Sequence, residues 1–147
     1  MPDYGSNFLD DLEEIDEGVR GSRLLQREKG DRLRAAVWEI DPGAASGPYH
    51  VHHGTEELLL VLRGRPTLRS PDGERELKEG EAVHFQAGPT GAHQLVNRSD
   101  KPARFVIAAS HVAPEIVEYV DDRIAIAWST HDSLVTGEPL EIRHPLE

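Results

Sequence analysis

Five of the eight histidines, His50, His52, His53, His84 and His93, fall within residues 50–93, and three of them stand together in YHVHHGTEE, directly before the apolar run LLLVL. Imidazoles mixed with carboxylates at this density are the donor set of a divalent-cation site. In an extended segment successive side chains alternate faces, so His50 and His52 point one way while Val51 and His53 point the other. Gly54 and Thr55 allow the chain to bend, which lets Glu57 approach the point that both imidazoles face. His93 is the natural fourth donor, because it follows the turn GPTG and opens the segment HQLVN. A one-residue shift of register would offer His53 and Glu56 instead, and the alternation argues against it. Three imidazoles and one carboxylate suit one divalent ion of Fe, Mn, Zn, Ni or Cu, bound at about 2.0–2.2 Å if it is zinc-like. Such a ligand set leaves coordination positions open on an octahedral ion, and an open position permits catalysis.

Strands must carry these groups, and the sequence supplies them. From Arg32 onward, short apolar runs at 32–40, 58–62, 66–70, 74–78, 82–85, 93–97 and 103–110 are separated by turn clusters such as DPGAASGP, SPDGE and QAGPTG. Runs of this length, spaced by Gly, Pro, Asp and Asn, are the pattern of an all-β sandwich or barrel. Asp72-Gly73 is the clearest hairpin signal. Runs at 115–120 and 123–128, joined by Asp121-Asp122, predict a C-terminal hairpin, and the Pro- and Glu-rich residues that follow are expected to fray. Residues 1–31 read as an acidic N-terminal arm, in which Phe8, Leu9, Leu12 and Ile15 suit a short helical segment. The expected organisation is one domain: the arm, a core at 32–112 that holds the chemistry, and strands and tail at 113–147 that complete it.

Two spaced motifs are legible. His50-Val51-His52, four residues, Glu57, six residues and Gly64 form the first, and Gly80, Gly88, His93 and Asn97 form the second, with fifteen residues between Gly64 and Gly80. On these motifs the chain resembles the cupin superfamily over roughly residues 34–110, and within it the small single-domain bacterial cupins of the conserved-barrel type. It departs at three places: Ala44 stands where the first motif begins with Gly, Gln86 replaces a proline of the second, and four residues instead of two separate Gly88 from His93. The resemblance implies a cupin double-stranded β-helix, a jelly-roll barrel, with the metal held by His50, His52, Glu57 and His93. It also implies a small-molecule ligand or substrate and a homodimer. Two classes of function stand side by side. One is a mononuclear metalloenzyme of dioxygenase or isomerase/lyase type acting on a small oxygenated organic molecule, with Glu57 or His84 as the groups that could move protons. The other is a non-catalytic module that holds a metal or a small ligand.

Composition excludes other classes. Without cysteine there are no disulfides, thiolate metal sites or cysteine nucleophiles. The net charge is −11, and the first eighteen residues carry seven acidic side chains with no Lys or Arg, so the excess is mostly a property of the arm. That field repels polyanions, so no nucleic-acid partner is expected. No apolar run approaches the roughly 20 residues of a membrane helix, and no membrane partner is expected. The acidic start is the reverse of an export signal, which predicts a cytoplasmic protein. His84 lies between Val83 and Phe85 and should point outward, and His111, His131 and His144 read as surface residues. Tyr49, Gln86 and Gln94 adjoin the candidate ligands, and Tyr49 is the first of them expected to touch a cavity.

Overall fold

The computed structural model describes residues 7–25 and 31–147. Within them the chain is all-β, a jelly roll of three sheets. The strands are β1 (Glu13–Asp16), β2 (Val19–Arg23), β3 (Leu33–Ile40), β4 (His50–His52), β5 (Glu57–Arg63), β6 (Thr67–Ser70), β7 (Gly73–Glu76), β8 (Ala82–Phe85), β9 (Gln94–Val96), β10 (Ala103–Ser110), β11 (Glu115–Tyr119), β12 (Ile124–Asp132) and β13 (Pro139–Pro145). A six-stranded sheet runs β1-β2-β3-β10-β5-β8, a four-stranded sheet β13-β12-β11-β4, and a three-stranded sheet β7-β6-β9. Two isolated bridges, Ala45 with Val96 and His50 with His93, join the two smaller sheets into one layer. That layer packs on the six-stranded sheet through Ile40, Leu59, Val61 and Phe105 from one side and Leu68 and Leu95 from the other.

Alternation along the strands decides which groups meet. On β10, Ala103, Phe105, Ile107 and Ala109 face inward, each opposite an even-numbered residue of β3 from Ile40 back to Arg34. Val19, Gly21 and Arg23 of β2 continue those rows beyond β3. The inner face of the sheet is therefore apolar at one end and carries Arg23 and Arg34 at the other. Gly64 closes the turn after β5 at φ 80, where a Cβ would lie 2.5 Å from the Pro102 carbonyl oxygen, so that position excludes every other residue.

Three expectations change. The N-terminal arm is not helical between residues 13 and 23: β1 and β2 form an antiparallel hairpin that extends the six-stranded sheet past β3. Backbone pairing to a ready sheet edge outweighs the weak helical pattern of Leu12 and Ile15. The C-terminal residues do not fray as a block, because β13 pairs with β12 from Ile124–Pro145 to Asp132–Pro139. His111 is buried rather than a surface residue, stacked on Trp128 with ring centroids 5.2 Å apart. The C-terminal hairpin forms as the sequence predicts, β11 against β12. His131 and His144 are exposed.

Candidate metal centre

His50 and His52 lie at the two ends of β4 and share a face, while Val51 between them is buried. Glu57 opens β5 in the six-stranded sheet, so the bend at residues 53–56 carries the chain from one layer to the other. His93 arrives from the second motif as the direct cross-strand partner of His50. The two residues exchange both backbone hydrogen bonds, His50 N–H to the His93 carbonyl at 3.2 Å and His93 N–H to the His50 carbonyl at 3.0 Å. Direct partners in an antiparallel pair present their side chains on one face. The result is one cluster of the four residues that the motifs single out.

The longer spacing before His93 has a physical account. Pro89–Gly91 form a 3-10 turn that takes up the additional residues. Gly91 packs so closely that a Cβ would lie 1.8 Å from the Gln86 carbonyl oxygen, and its own carbonyl oxygen lies 2.8 Å from His93 Nδ1 at the ring edge. The ring stacks flat on Phe85 with centroids 3.8 Å apart. His93 is thereby fixed from beneath, from behind and through its backbone.

The polar atoms are arranged as metal donors would be. His50 Nδ1 lies 2.9 Å from the Pro48 carbonyl oxygen and His93 Nδ1 lies 2.8 Å from that of Gly91. A carbonyl accepts only from N–H, so Nδ1 carries the hydrogen in both rings and Nε2 presents a lone pair to the cluster; this is how metal-ligating histidines are commonly oriented. His93 Nε2 stands 2.8 Å from Glu57 Oε2, and His52 Nε2 stands 3.4 Å from Glu57 Oε1. Despite the short approach, Glu57 Oε2 is buried without a hydrogen bond, and so is His52 Nδ1. A lone pair facing a carboxylate oxygen is repulsive unless a cation lies between them, so these buried, misaligned atoms fit a metal ion. One ligand atom from each of His50, His52 and Glu57 lies within 4.8 Å of the others. His93 joins them through Glu57, with its ring 4.5 Å from that of His50 and 6.5 Å from that of His52.

Electrostatics keep the donors deprotonated. Burial, reinforced by the neighbouring His93, pushes His50 down to about 4. A neutral imidazole and an ionised carboxylate are the forms a metal requires.

The remaining candidates separate cleanly. His53 turns outward and pairs with Glu118 at 2.5 Å, and Glu56 pairs with His84 at 3.0 Å on the outer surface. Tyr49 does not line the cavity; its ring lies under the Arg69 guanidinium, 4.2 Å away. Gln94 donates to the Gly47 carbonyl at 3.0 Å, and Gln86 is exposed.

Sequence reasoning missed two groups. Glu115, 1% exposed, accepts the Gly54 N–H at 2.8 Å and the Ile116 N–H at 3.1 Å on Oε1, and the Thr55 hydroxyl on Oε2. It fixes the bend that brings Glu57 to His52, and its Oε2 lies 3.8 Å from His52 Nδ1. The signal for it was a carboxylate at an inward position of the alternating run EIVEYV. Arg34 is the second, at an inward position of RLRAAVWEI. It lines a cavity of about 310 Å³ together with Arg23, Trp38, His50, Glu57 and His93.

Within a jelly roll, this histidine–glutamate cluster borders an inner cavity and includes a group, His50, His52 and Glu57, that could hold a metal ion. Residues 36–109, half of the chain, match the family described as "Cupin domain", and the chain belongs to that family. No curated protein matches it in sequence. Among solved structures it is similar to a sugar phosphate isomerase of the cupin superfamily from Silicibacter pomeroyi, at 25% identity and a TM-score of 0.72, over 89% of this chain and 82% of that one. It is similar to the polyketide cyclase RemF from Streptomyces resistomycificus at 27% identity and a TM-score of 0.60, over 71% of this chain and 72% of that one. A Cupin 2 conserved barrel domain protein from Salinispora arenicola, at 24% identity and a TM-score of 0.56 over 70% of this chain and 83% of that one, shares the fold. Among the described residues no helix is long and apolar enough to cross a membrane.

Proposed function

We propose that this chain is a mononuclear metal-dependent enzyme acting on a small oxygenated organic molecule, with one divalent ion held by His50, His52, Glu57 and His93. The observation that carries the reading is the buried Glu57 Oε2, facing the His93 lone pair at 2.8 Å without a hydrogen bond. An ion bound there would polarise a carbonyl or hydroxyl oxygen as a Lewis acid. The chain's own residues do the rest. Pro48 and Gly91 carbonyls orient the two imidazoles, Glu57 contributes the negative charge, and Trp38, Leu95 and Ile107 form an apolar wall beside them. The likeness to a sugar phosphate isomerase and a polyketide cyclase supports isomerase or lyase chemistry over dioxygenase chemistry.

A second reading, a binding module without turnover, draws on one observation. Among the described residues the cavity wall holds no carboxylate or imidazole besides those of the cluster, so a separate general base is not in view.

Elemental analysis of untagged protein tests the first reading. About one divalent ion per chain is expected in the wild type and almost none in His93→Ala; a metal-free wild type, or equal metal in the variant, overturns it. Turnover of simple hydroxycarbonyl compounds that disappears on chelation and returns with the metal supports an enzyme. Capture of such compounds without turnover supports the module.

A further inference from the structure

We propose that the recess beside the cluster is a subsite for a hydroxyl group of the ligand, hydrogen-bonded by Tyr119, so that the site favours polyhydroxylated carbonyl compounds over their deoxy analogues. The proposal deepens the cluster reading above and rests on it, since another oxygen of the same molecule would meet the His50, His52, Glu57 and His93 group.

Register is the first argument. β11 runs beside β4 with Tyr119 opposite His50 and Val117 opposite His52. Backbone hydrogen bonds join Val120 to Tyr49 and His53 to Ile116. By the alternation of an antiparallel ladder, His50–Tyr119 and His52–Val117 are then the pairs without such bonds, in which Cα atoms approach to about 4.5 Å and side chains stand closest. Direct partners also share a face. His93, His50 and Tyr119 therefore form one row across the layer, with successive ring centroids 4.5 Å and 6.4 Å apart. The phenol is the next side chain in that row after the two imidazoles.

Availability is the second. Of the three inward residues of β11, Glu115 is occupied by Gly54, Thr55 and Ile116, and Val117 is buried and apolar. Tyr119 is half-buried, and among the described residues its hydroxyl makes no hydrogen bond. A phenol that is taken out of water usually has a partner for its hydroxyl, which both donates and accepts, and a ligand hydroxyl would supply one. The sequence pointed to Tyr49 as the tyrosine at the cavity. Alternation turns Tyr49 to the other face, and the cross-strand neighbour of His50 brings a tyrosine to the cluster from β11 instead.

Space is the third. The recess measures about 490 Å³, within the range of small-molecule sites, and His50, His52, Val117, Tyr119 and Trp128 line it. Ser46, Gly47 and His50 border both this recess and the inner cavity, so the two spaces meet at the cluster. Val117 and Trp128 offer apolar surface to a carbon chain, and Tyr119 offers it a polar contact. A few polar groups set in an apolar wall are what fix the orientation of a small ligand.

The test uses the full chain, metal-loaded and chelator-stripped, with dihydroxyacetone and hydroxyacetone as probes. Both carry the hydroxycarbonyl group, and they differ by one hydroxyl. Trp38 lines the inner cavity and Trp128 the recess, and these are the only tryptophans, so in a Trp38→Phe background fluorescence reports the recess alone. Dihydroxyacetone is expected to bind about tenfold more tightly, the scale of one hydrogen bond. Tyr119→Phe should reduce that preference to the statistical advantage of two equivalent ends, with hydroxyacetone affinity and metal content unchanged. Tyr49→Phe should keep it, since that ring lies under Arg69 away from the cavity. Calorimetry on the chain with both tryptophans repeats the comparison should Trp38→Phe fail to fold. Equal affinity for the two probes, no binding of either at high millimolar concentration, or a preference that survives Tyr119→Phe overturns the proposal. Metal-loaded protein without the preference sinks this proposal and leaves the cluster reading standing. A chain that takes up no metal yet keeps a preference dependent on Tyr119 does the reverse.

Discussion

On the outer face of the six-stranded sheet, Arg20, Glu39 and Arg104 occupy one cross-strand row over β2, β3 and β10. Every charge in it is answered. Arg104 Nε donates to Glu39 Oε2 at 2.8 Å while its Nη1 donates to the Phe8 and Asp10 carbonyls at 3.1 and 2.9 Å, and Arg20 donates to Glu39 Oε1 at 2.9 Å and to Asp41 Oδ1 at 2.5 Å. On the inner layer the His50, His52, Glu57 and His93 cluster is buried to a similar degree and left incomplete, with Glu57 Oε2 and His52 Nδ1 lacking hydrogen bonds. Closed networks fasten segments together, in this case the N-terminal hairpin to the sheet. Open ones hold unsatisfied donors and acceptors ready for a ligand, at some expense in stability.

The largest effect that separates the two faces is on stability. Arg104→Met leaves Glu39 buried with only Arg20 and removes the donor to two backbone carbonyls, which should lower the unfolding free energy by about 3 kcal/mol. Glu57→Gln in chelator-stripped protein should cost less than about 1 kcal/mol, because the carboxylate it replaces is poorly satisfied there. Urea unfolding of both variants without metal measures the difference. Equal losses would erase the distinction between a fastening network and a waiting site.

Next in size is a change behind the cluster. Glu115 holds Gly54, Thr55 and Ile116 on one carboxylate, and an amide in its place supplies only one oxygen for the three donors. Glu115→Gln should weaken metal binding by about tenfold to a hundredfold, the usual scale for groups that orient ligands. Competition against a coloured chelator reads it, and Thr55→Ala should fall in between. If metal affinity is unchanged while thermal stability drops, Glu115 belongs with the fastening residues.

How much of this was legible follows the same division. Period-two alternation placed His50 and His52 on one face, and motif spacing brought Glu57 and His93 to them, because local strand geometry decides those directions. Most strands from residue 33 to 128 were marked by apolar runs with a buried side, and β7, exposed along its length, by the Asp72-Gly73 turn before it. β1 and β13 carried no such mark: both are fully exposed along their length, so their pairing rests on backbone hydrogen bonds to an existing edge and leaves no hydrophobic pattern. Glu115 and Arg34 escaped for another reason. Glu115 braces the bend before Glu57 and Arg34 lines the cavity, each from a strand outside the short motif segments, and only tertiary register brings them there.

The smallest predicted effect concerns pH and again separates closed from open. Burial would raise the Glu39 carboxyl, but hydrogen bonds from Arg104 and Arg20 outweigh it and leave the carboxyl below its ordinary range. A carboxyl depressed in the folded state binds fewer protons there than in the unfolded chain. Its contribution is therefore present above the unfolded value of about 4.3 and is lost as pH falls through the lower folded value. The stability gap between wild type and Glu39→Gln should be constant from neutral pH down to about pH 5 and narrow below that. Glu74, lowered by Arg98 at the surface, should show the same trend only at low salt, since exposed pairs are screened. Urea titrations at several pH values and two salt concentrations read both. A Glu39 gap that widens as pH falls, or one that salt removes as readily as that of Glu74, would show that the row on the outer face is no more closed than a surface ion pair.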